Sequence, residues 1–133
     1  MKTRIKIILS LTILLPVMAM ALFTSPNEEM NMPLGDDIEA GKALFTAKAC
    51  FACHGMNAEG NALGPNMTDN FTKQGCSEED IIKVINKGVP GTAMVPYEAQ
   101  LKPEEVKQLA AYIISLKGSN PANAKAAEGE ECK

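Results

Sequence analysis

Cys50-Phe51-Ala52-Cys53-His54 places two thiols three positions apart with an imidazole directly behind the second. Those residue types at that spacing are those of a covalent c-type haem attachment site. Each cysteine can add across one haem vinyl group to form a thioether, and His54 is then carried under the porphyrin, where an imidazole nitrogen ligates the iron. Two other uses of a C-x-x-C pair fit less well. A zinc site calls for a second C-x-x-C or a histidine pair, whereas the remainder of the chain offers only Cys76 and Cys132 and no further histidine. A thioredoxin-like site follows a strand within a βαβ pattern, and the flanks here read as helix and loop. With one histidine in the chain, ligation by two histidines is excluded.

The opposite face of the iron then needs another soft donor, and the methionines downstream of the motif are Met56, Met67 and Met94. Met56 stands too close to His54 to reach round to the far face. Met94 lies forty positions after His54 in a stretch bearing Pro and Gly, where the chain can cross to the other side. Met67 is a rival on reach alone, since thirteen extended residues span about 43 Å.

These groups have to be positioned by helices and loops. Asp36 can cap a first helix from Asp37 to Lys48, with acids in its first turn. Ile38, Gly41, Phe45 and Ala49 share one face of it. Gly41 in mid-helix costs propensity, which a close helix contact would explain. Residues 55–75, rich in Gly and Asn, read as loop and turn around the haem edge. Ser77-Glu78-Glu79-Asp80 is a capping-box pattern opening a second helix, with Ile81, Ile82, Val84 and Ile85 as its apolar stripe and Gly88 at its end. A third helix starts with Pro103 and runs to Lys117, with Gly118 as its stop and Val106, Leu109, Ala110, Ile113 and Leu116 on its apolar face. Residues 119–133, rich in Ala and Glu, read as a loosely ordered tail.

The 133 residues suit one small domain, with the haem supplying much of its apolar interior. Lys2, Arg4 and Lys6 precede the apolar run Ile7 to Val17, and Ala19-Met20-Ala21 is an A-x-A cleavage pattern, so residues 1–21 read as an export signal cut after Ala21. The competing reading is an uncleaved anchor, since apolar character continues from Ile7 to Phe23, although about 17 residues carrying Pro16 is short for a bilayer span. Residues 22–35 read as a flexible leader into a domain at 36–118. Export agrees with the motif, because thioether attachment and oxidised thiols belong outside the cytoplasm, in a periplasm or its equivalent. Loss of the signal leaves ten basic residues against 16 acidic ones, a formal charge of −6. That sign argues against nucleic acid and favours docking to a basic or apolar patch on another redox protein.

Helix, C-x-x-C-H, long loop, helix, methionine-bearing loop and last helix form an order that resembles the class I cytochrome c fold, an all-α architecture of three main helices and long loops around one covalent haem. Leu63-Gly64-Pro65-Asn66-Met67-Thr68-Asp69, the turn Gly88-Val89-Pro90-Gly91 with Met94, and Leu109-Ala110-Ala111-Tyr112-Ile113 carry the resemblance. It is closest to the haem c domain of subunit III of cbb3-type cytochrome oxidases, and Leu116-Lys117-Gly118-Ser119-Asn120-Pro121 extends it into the tail. This chain carries one C-x-x-C-H where that subunit has two. The resemblance implies that Met94 is the axial ligand, Met67 occupying a position that is commonly Leu there. It implies that the Pro65 carbonyl orients His54 through the second ring nitrogen, and that the first and last helices cross at Gly41 beside Phe45 and Tyr112.

Iron held by His and Met has no open position, so the expected role is a single-electron carrier between periplasmic or membrane-bound redox proteins, a terminal oxidase among the candidates, rather than an enzyme. Membrane association follows only if the N-terminal segment is uncleaved. The alternatives are a tethered haem subunit of an oxidase or dehydrogenase complex, and a haem enzyme with an open iron. Cys76 and Cys132 are surplus to the haem; in an exported chain they pair with each other or stay free or linked to a partner, and spacing does not choose.

Overall fold

A computed structural model describes residues 34–133. The export signal expected over residues 1–21 lies outside the described residues, as does all but the end of the leader expected over 22–35. Four helices and one two-stranded ladder make up the described fold: α1 (Leu34–Ala47), α2 (Phe51–His54), β1 (Phe71–Thr72), α3 (Glu78–Lys87), α4 (Pro103–Ser115) and β2 (Glu130–Glu131). The sequence predicts three helices. The fourth, α2, is a single turn formed by the C-x-x-C-H motif itself.

The first helix begins earlier than predicted, at Leu34, so Asp36 sits with Asp37 inside its first turn instead of capping it. There the two carboxylates still face the positive end of the helix dipole. The second long helix, α3, carries the capping box read from its sequence. Ser77 Oγ accepts from the Asp80 amide at 3.1 Å, and the Asp80 carboxylate accepts from the Ser77 amide at 3.1 Å. Pro103 opens α4, and the Glu105 carboxylate accepts from the Lys102 amide at 2.7 Å. This helix stops at Ser115, short of the predicted Lys117.

The core forms where α1 crosses α4. Phe45, Val106, Leu109, Tyr112 and Ile113 are buried together, and the Phe45 and Tyr112 rings meet edge-on with centroids 5.5 Å apart. Gly41 is the point of closest approach. A Cβ at that position would run into the Gln108 carbonyl and lie 2.8 Å from Tyr112 Cβ, so the crossing requires a residue without a side chain.

Residues 119–133 are not a loose tail. The chain turns back after α4 and lies along the loop between α2 and α3. The Lys125 amide donates to the Glu59 carbonyl at 2.8 Å, and the Cys132 amide to the Asn70 carbonyl at 2.7 Å. Antiparallel pairing of Phe71 with Glu131 and of Thr72 with Glu130 makes the short ladder. A disulfide between Cys76 and Cys132 closes it, with the Cα atoms 5.7 Å apart. Ala and Glu content describes the tail's solubility and says nothing of these pairings, all of which are long-range.

Candidate functional site

The attachment motif is aimed by a sharp turn. After α1, Ala49 adopts a left-handed conformation with φ 55°, costly for a residue with a Cβ. The Cys50 amide returns to the Phe45 carbonyl at 3.0 Å. Cys53 and His54 then donate their amides to the Cys50 carbonyl at 3.2 and 3.0 Å. This single helical turn puts Cys50, Cys53 and His54 on one face, as residues three and four apart must be.

His54 is buried. Its Nδ1 lies 3.3 Å from the Pro65 carbonyl oxygen. A carbonyl only accepts, so Nδ1 carries the proton and Nε2 keeps its lone pair. Burial pulls the His54 pKa down, opposed by that carbonyl, which favours the protonated ring. The net direction keeps the imidazole neutral and able to ligate a metal. Gly64 allows the loop to come this close, since a Cβ there would strike the Cys53 carbonyl and lie 3.0 Å from His54 Nδ1.

Cys50, Cys53 and His54 line one cavity of about 350 Å³, a size suited to a small cofactor. Phe45, Ile85, Leu109 and Ile113 supply much of its apolar wall. Met94 reaches the same cavity from the loop between α3 and α4, where its carbonyl accepts from the Val89 amide at 2.9 Å and its amide donates to Thr92 Oγ1 at 3.1 Å. Met67 lines the cavity too, from the loop that carries Pro65. Met56 does not; its side chain is 66% exposed. Half-buried Tyr97 is on the wall, and burial pushes its hydroxyl pKa up.

The donor chemistry fits a haem. Of the four cysteines, Cys76 and Cys132 are consumed by the disulfide, while Cys50 and Cys53 are free and face the cavity. Burial pushes the Cys50 thiol up, so it stays protonated. Among the described residues no three His, Cys, Asp or Glu side chains converge to hold a bare metal ion. One imidazole and one thioether suit an iron whose remaining ligands come from a macrocycle.

Several wall residues were invisible to sequence reasoning. Lys117 reads there as the end of a helix and Lys125 and Glu128 as part of a tail, yet all three line the cavity. Only the fold-back of the tail along residues 59–73 brings the last two there, and no local pattern encodes it.

The family model described as cytochrome C oxidase, cbb3-type, subunit III, matches residues 36–113. Among curated relatives, the cbb3-type cytochrome c oxidase subunit FixP of Bradyrhizobium sp. (strain ORS 278) is 41% identical over 86 residues, covering 63% of this chain and 29% of that subunit. Cytochrome c-551 of Pseudomonas denitrificans is 36% identical over 83 residues, covering 58% of this chain and 98% of that protein. The chain therefore spans about a third of the length of the oxidase subunits it matches and nearly the whole of the small cytochrome. Among solved structures, cytochrome cL from Methylophaga aminisulfidivorans superposes with a TM-score of 0.56 at 30% identity, covering 61% of this chain and 55% of that one.

Proposed function

This chain belongs to the cytochrome c family represented by subunit III of cbb3-type cytochrome c oxidases, whose cofactor is a covalently bound c-type haem, and from that premise we propose that it is a single-electron carrier whose haem iron is held between His54 and Met94. The observation that carries this reading is the convergence of Cys50, Cys53, His54 and Met94, from opposite ends of the sequence motif order, on one apolar cavity. When bound, the haem supplies a reversible one-electron iron couple.

The residues divide the work. Cys50 and Cys53 would hold the macrocycle through two thioethers. His54 presents Nε2, and Pro65 holds the ring in that tautomer and raises its basicity. Met94 would supply the second protein ligand to the iron, a thioether sulfur that raises the potential of such a haem. Met67 shares its loop with Pro65, two residues from the carbonyl that holds His54, which supports a packing role on the histidine side. The apolar wall excludes water and favours the less charged ferrous state. With His54 and Met94 both holding the iron, the site would suit electron transfer with little ligand movement and would offer no position to oxygen or peroxide.

Export to a periplasm fits both the thioether chemistry and the disulfide. Among the described residues no helix is long and apolar enough to cross a membrane. The partners on this reading are redox proteins presenting a basic or apolar patch, a terminal oxidase included. A second reading, a haem subunit built into an oxidase, is favoured by the family match, while the near-complete coverage of cytochrome c-551 favours the free carrier.

Visible spectra of the haem-loaded protein test the proposal. A low-spin reduced form indifferent to carbon monoxide, with the weak far-red band of methionine-ligated ferric haem in the oxidised form, is expected. A high-spin spectrum that shifts with carbon monoxide overturns it.

A further inference from the structure

The cavity is charged against the sign of the chain. The protein is acidic, with a formal charge of −3, yet three lysines, Lys73, Lys117 and Lys125, line the cavity against two carboxylates, Asp80 and Glu128. Four of these five have their partners. Lys73 and Lys125 each pair with Glu128 at 2.7 Å, and Asp80 is engaged by Ser77 in the capping box.

Lys117 is the exception. It is half-buried, and its Nζ donates to the Asp69 carbonyl oxygen at 2.9 Å. It forms no ion pair among the described residues. An ammonium has three N–H donors, so two remain for the cavity. Burial pulls its pKa down, partly offset by the Asp69 carboxylate, which marks a cation short of a counter-charge. Its position is fixed from two sides, because the Gly118 amide donates to the Thr68 carbonyl at 2.7 Å while the ammonium holds the next carbonyl along. A haem is an apolar disc with two carboxylates on one edge, and those carboxylates need donors wherever the disc is buried.

We infer that Lys117 is a positioning residue for the haem, its ammonium serving as donor and counter-ion to one of the haem carboxylates. This rests on the haem occupying the cavity and is independent of which methionine ligates the iron. The pair keeps that carboxylate ionised to lower pH, as an opposite charge at contact distance does. Because a carboxylate near the iron favours the ferric state, its protonation registers in the midpoint potential. The other charged or titratable groups facing this region are Asp69, Lys73, Asp80, Lys125, Glu128, His54 and Tyr97, with Cys50 and Cys53 consumed as thioethers in the haem-loaded protein, and they are common to every variant below.

Spectroelectrochemical titration of the haem-loaded full chain from pH 5 to pH 9 reads this out in wild type, Lys117→Arg and Lys117→Met. A level potential is expected for wild type and for the arginine variant, which keeps the charge. In the methionine variant the inflection moves up by about one to three pH units and brings a slope into the neutral range. Superimposable profiles for wild type and Lys117→Met, with unchanged visible spectra, overturn the inference. Should Lys117→Met not accumulate, the infrared band of wild-type protein carrying haem labelled with carbon-13 at its carboxylates decides: an ion-paired frequency for one of the two supports the pairing, and two free carboxylates refute it. A carbon monoxide-sensitive spectrum in wild type would remove the Met94 ligation and leave the Lys117 result standing.

Discussion

His54 Nδ1 and the Pro65 carbonyl oxygen stand 3.3 Å apart across eleven residues of chain, and that contact decides which nitrogen of the only histidine is free to ligate. Pro65→Ala retains the carbonyl but releases the fixed proline φ that presents it. The hydrogen bond weakens, the imidazole becomes a poorer donor, and the ferric state loses support. The midpoint potential therefore rises. A net hydrogen bond is worth about 1 kcal/mol, so the rise is bounded at roughly 40 mV for one electron. Potentiometry of the variant checks both sign and size, and a fall in potential contradicts the assigned role.

Gly41→Ala sets two effects against each other. Helix propensity alone favours alanine by about 1 kcal/mol in the interior of α1. The new Cβ, however, meets the Gln108 carbonyl and Tyr112 Cβ, and forcing a methyl into a packed contact costs about 1–3 kcal/mol. Because the obstacle is backbone, which cannot swing aside, overpacking wins. Thermal unfolding is expected to show net destabilisation; a stabilised variant would mean that α1 and α4 separate at no cost.

The Cys76–Cys132 disulfide spans 56 positions. Closing a loop of that length removes about 4 kcal/mol of unfolded-chain entropy in the chain-entropy model. Replacing both cysteines by serine should lower the unfolding free energy by up to that amount and release residues 119–133 from the loop they cover. Hydrogen exchange at the Lys125 and Cys132 amides, which donate to the Glu59 and Asn70 carbonyls, distinguishes release of the tail from a uniform loss of stability.

Glu128, between Lys73 and Lys125, has its pKa lowered from 4.5 to about 2 by hydrogen bonds from those two ammoniums. A carboxylate whose folded pKa is depressed contributes stability that is complete above the unfolded value and disappears as pH falls through the folded one. Tail attachment is therefore expected to weaken between pH 4.5 and about 2. Both partners are solvent-exposed enough for salt to screen them, so added salt should shrink the effect. Glu128→Gln should flatten the same stretch of the pH–stability curve, and an unaltered curve in that variant removes Glu128 as its source.

What could be read from the sequence follows from how local each signal is. The Ser77–Asp80 capping box, Pro103 at the head of α4 and the need for a close contact at Gly41 are written within one or two helical turns. So is the common face of Cys50, Cys53 and His54. The left-handed turn at Ala49 has no signature, because alanine is not a residue that prefers it. The tail's return is set by pairings such as Cys132 with Cys76 and Lys125 with Glu59, which composition does not carry. Lys117 is a matter of meaning more than of place: at a helix end a lysine is expected for the dipole alone, and only the cavity beside it suggests another partner.

Met94 and Met67 both line the cavity, so the choice of axial ligand comes down to which wall each belongs to. Met67 follows Pro65 on the loop bound to His54, and its amide donates to the Ala58 carbonyl at 2.9 Å, tying it to the segment just beyond the attachment motif. Met94 stands on the connection between α3 and α4. A ligand opposite His54 has to come from a wall that His54 does not share, which favours Met94. Met94→Ala is then expected to abolish the far-red band, let carbon monoxide bind the ferrous form and lower the potential, since a strong thioether ligand is lost. Met67→Ala should leave the band and the carbon monoxide response as they are and cost about 2–5 kcal/mol at most, as truncation of a packed methionine does. The reverse pattern would move the sixth ligand to Met67.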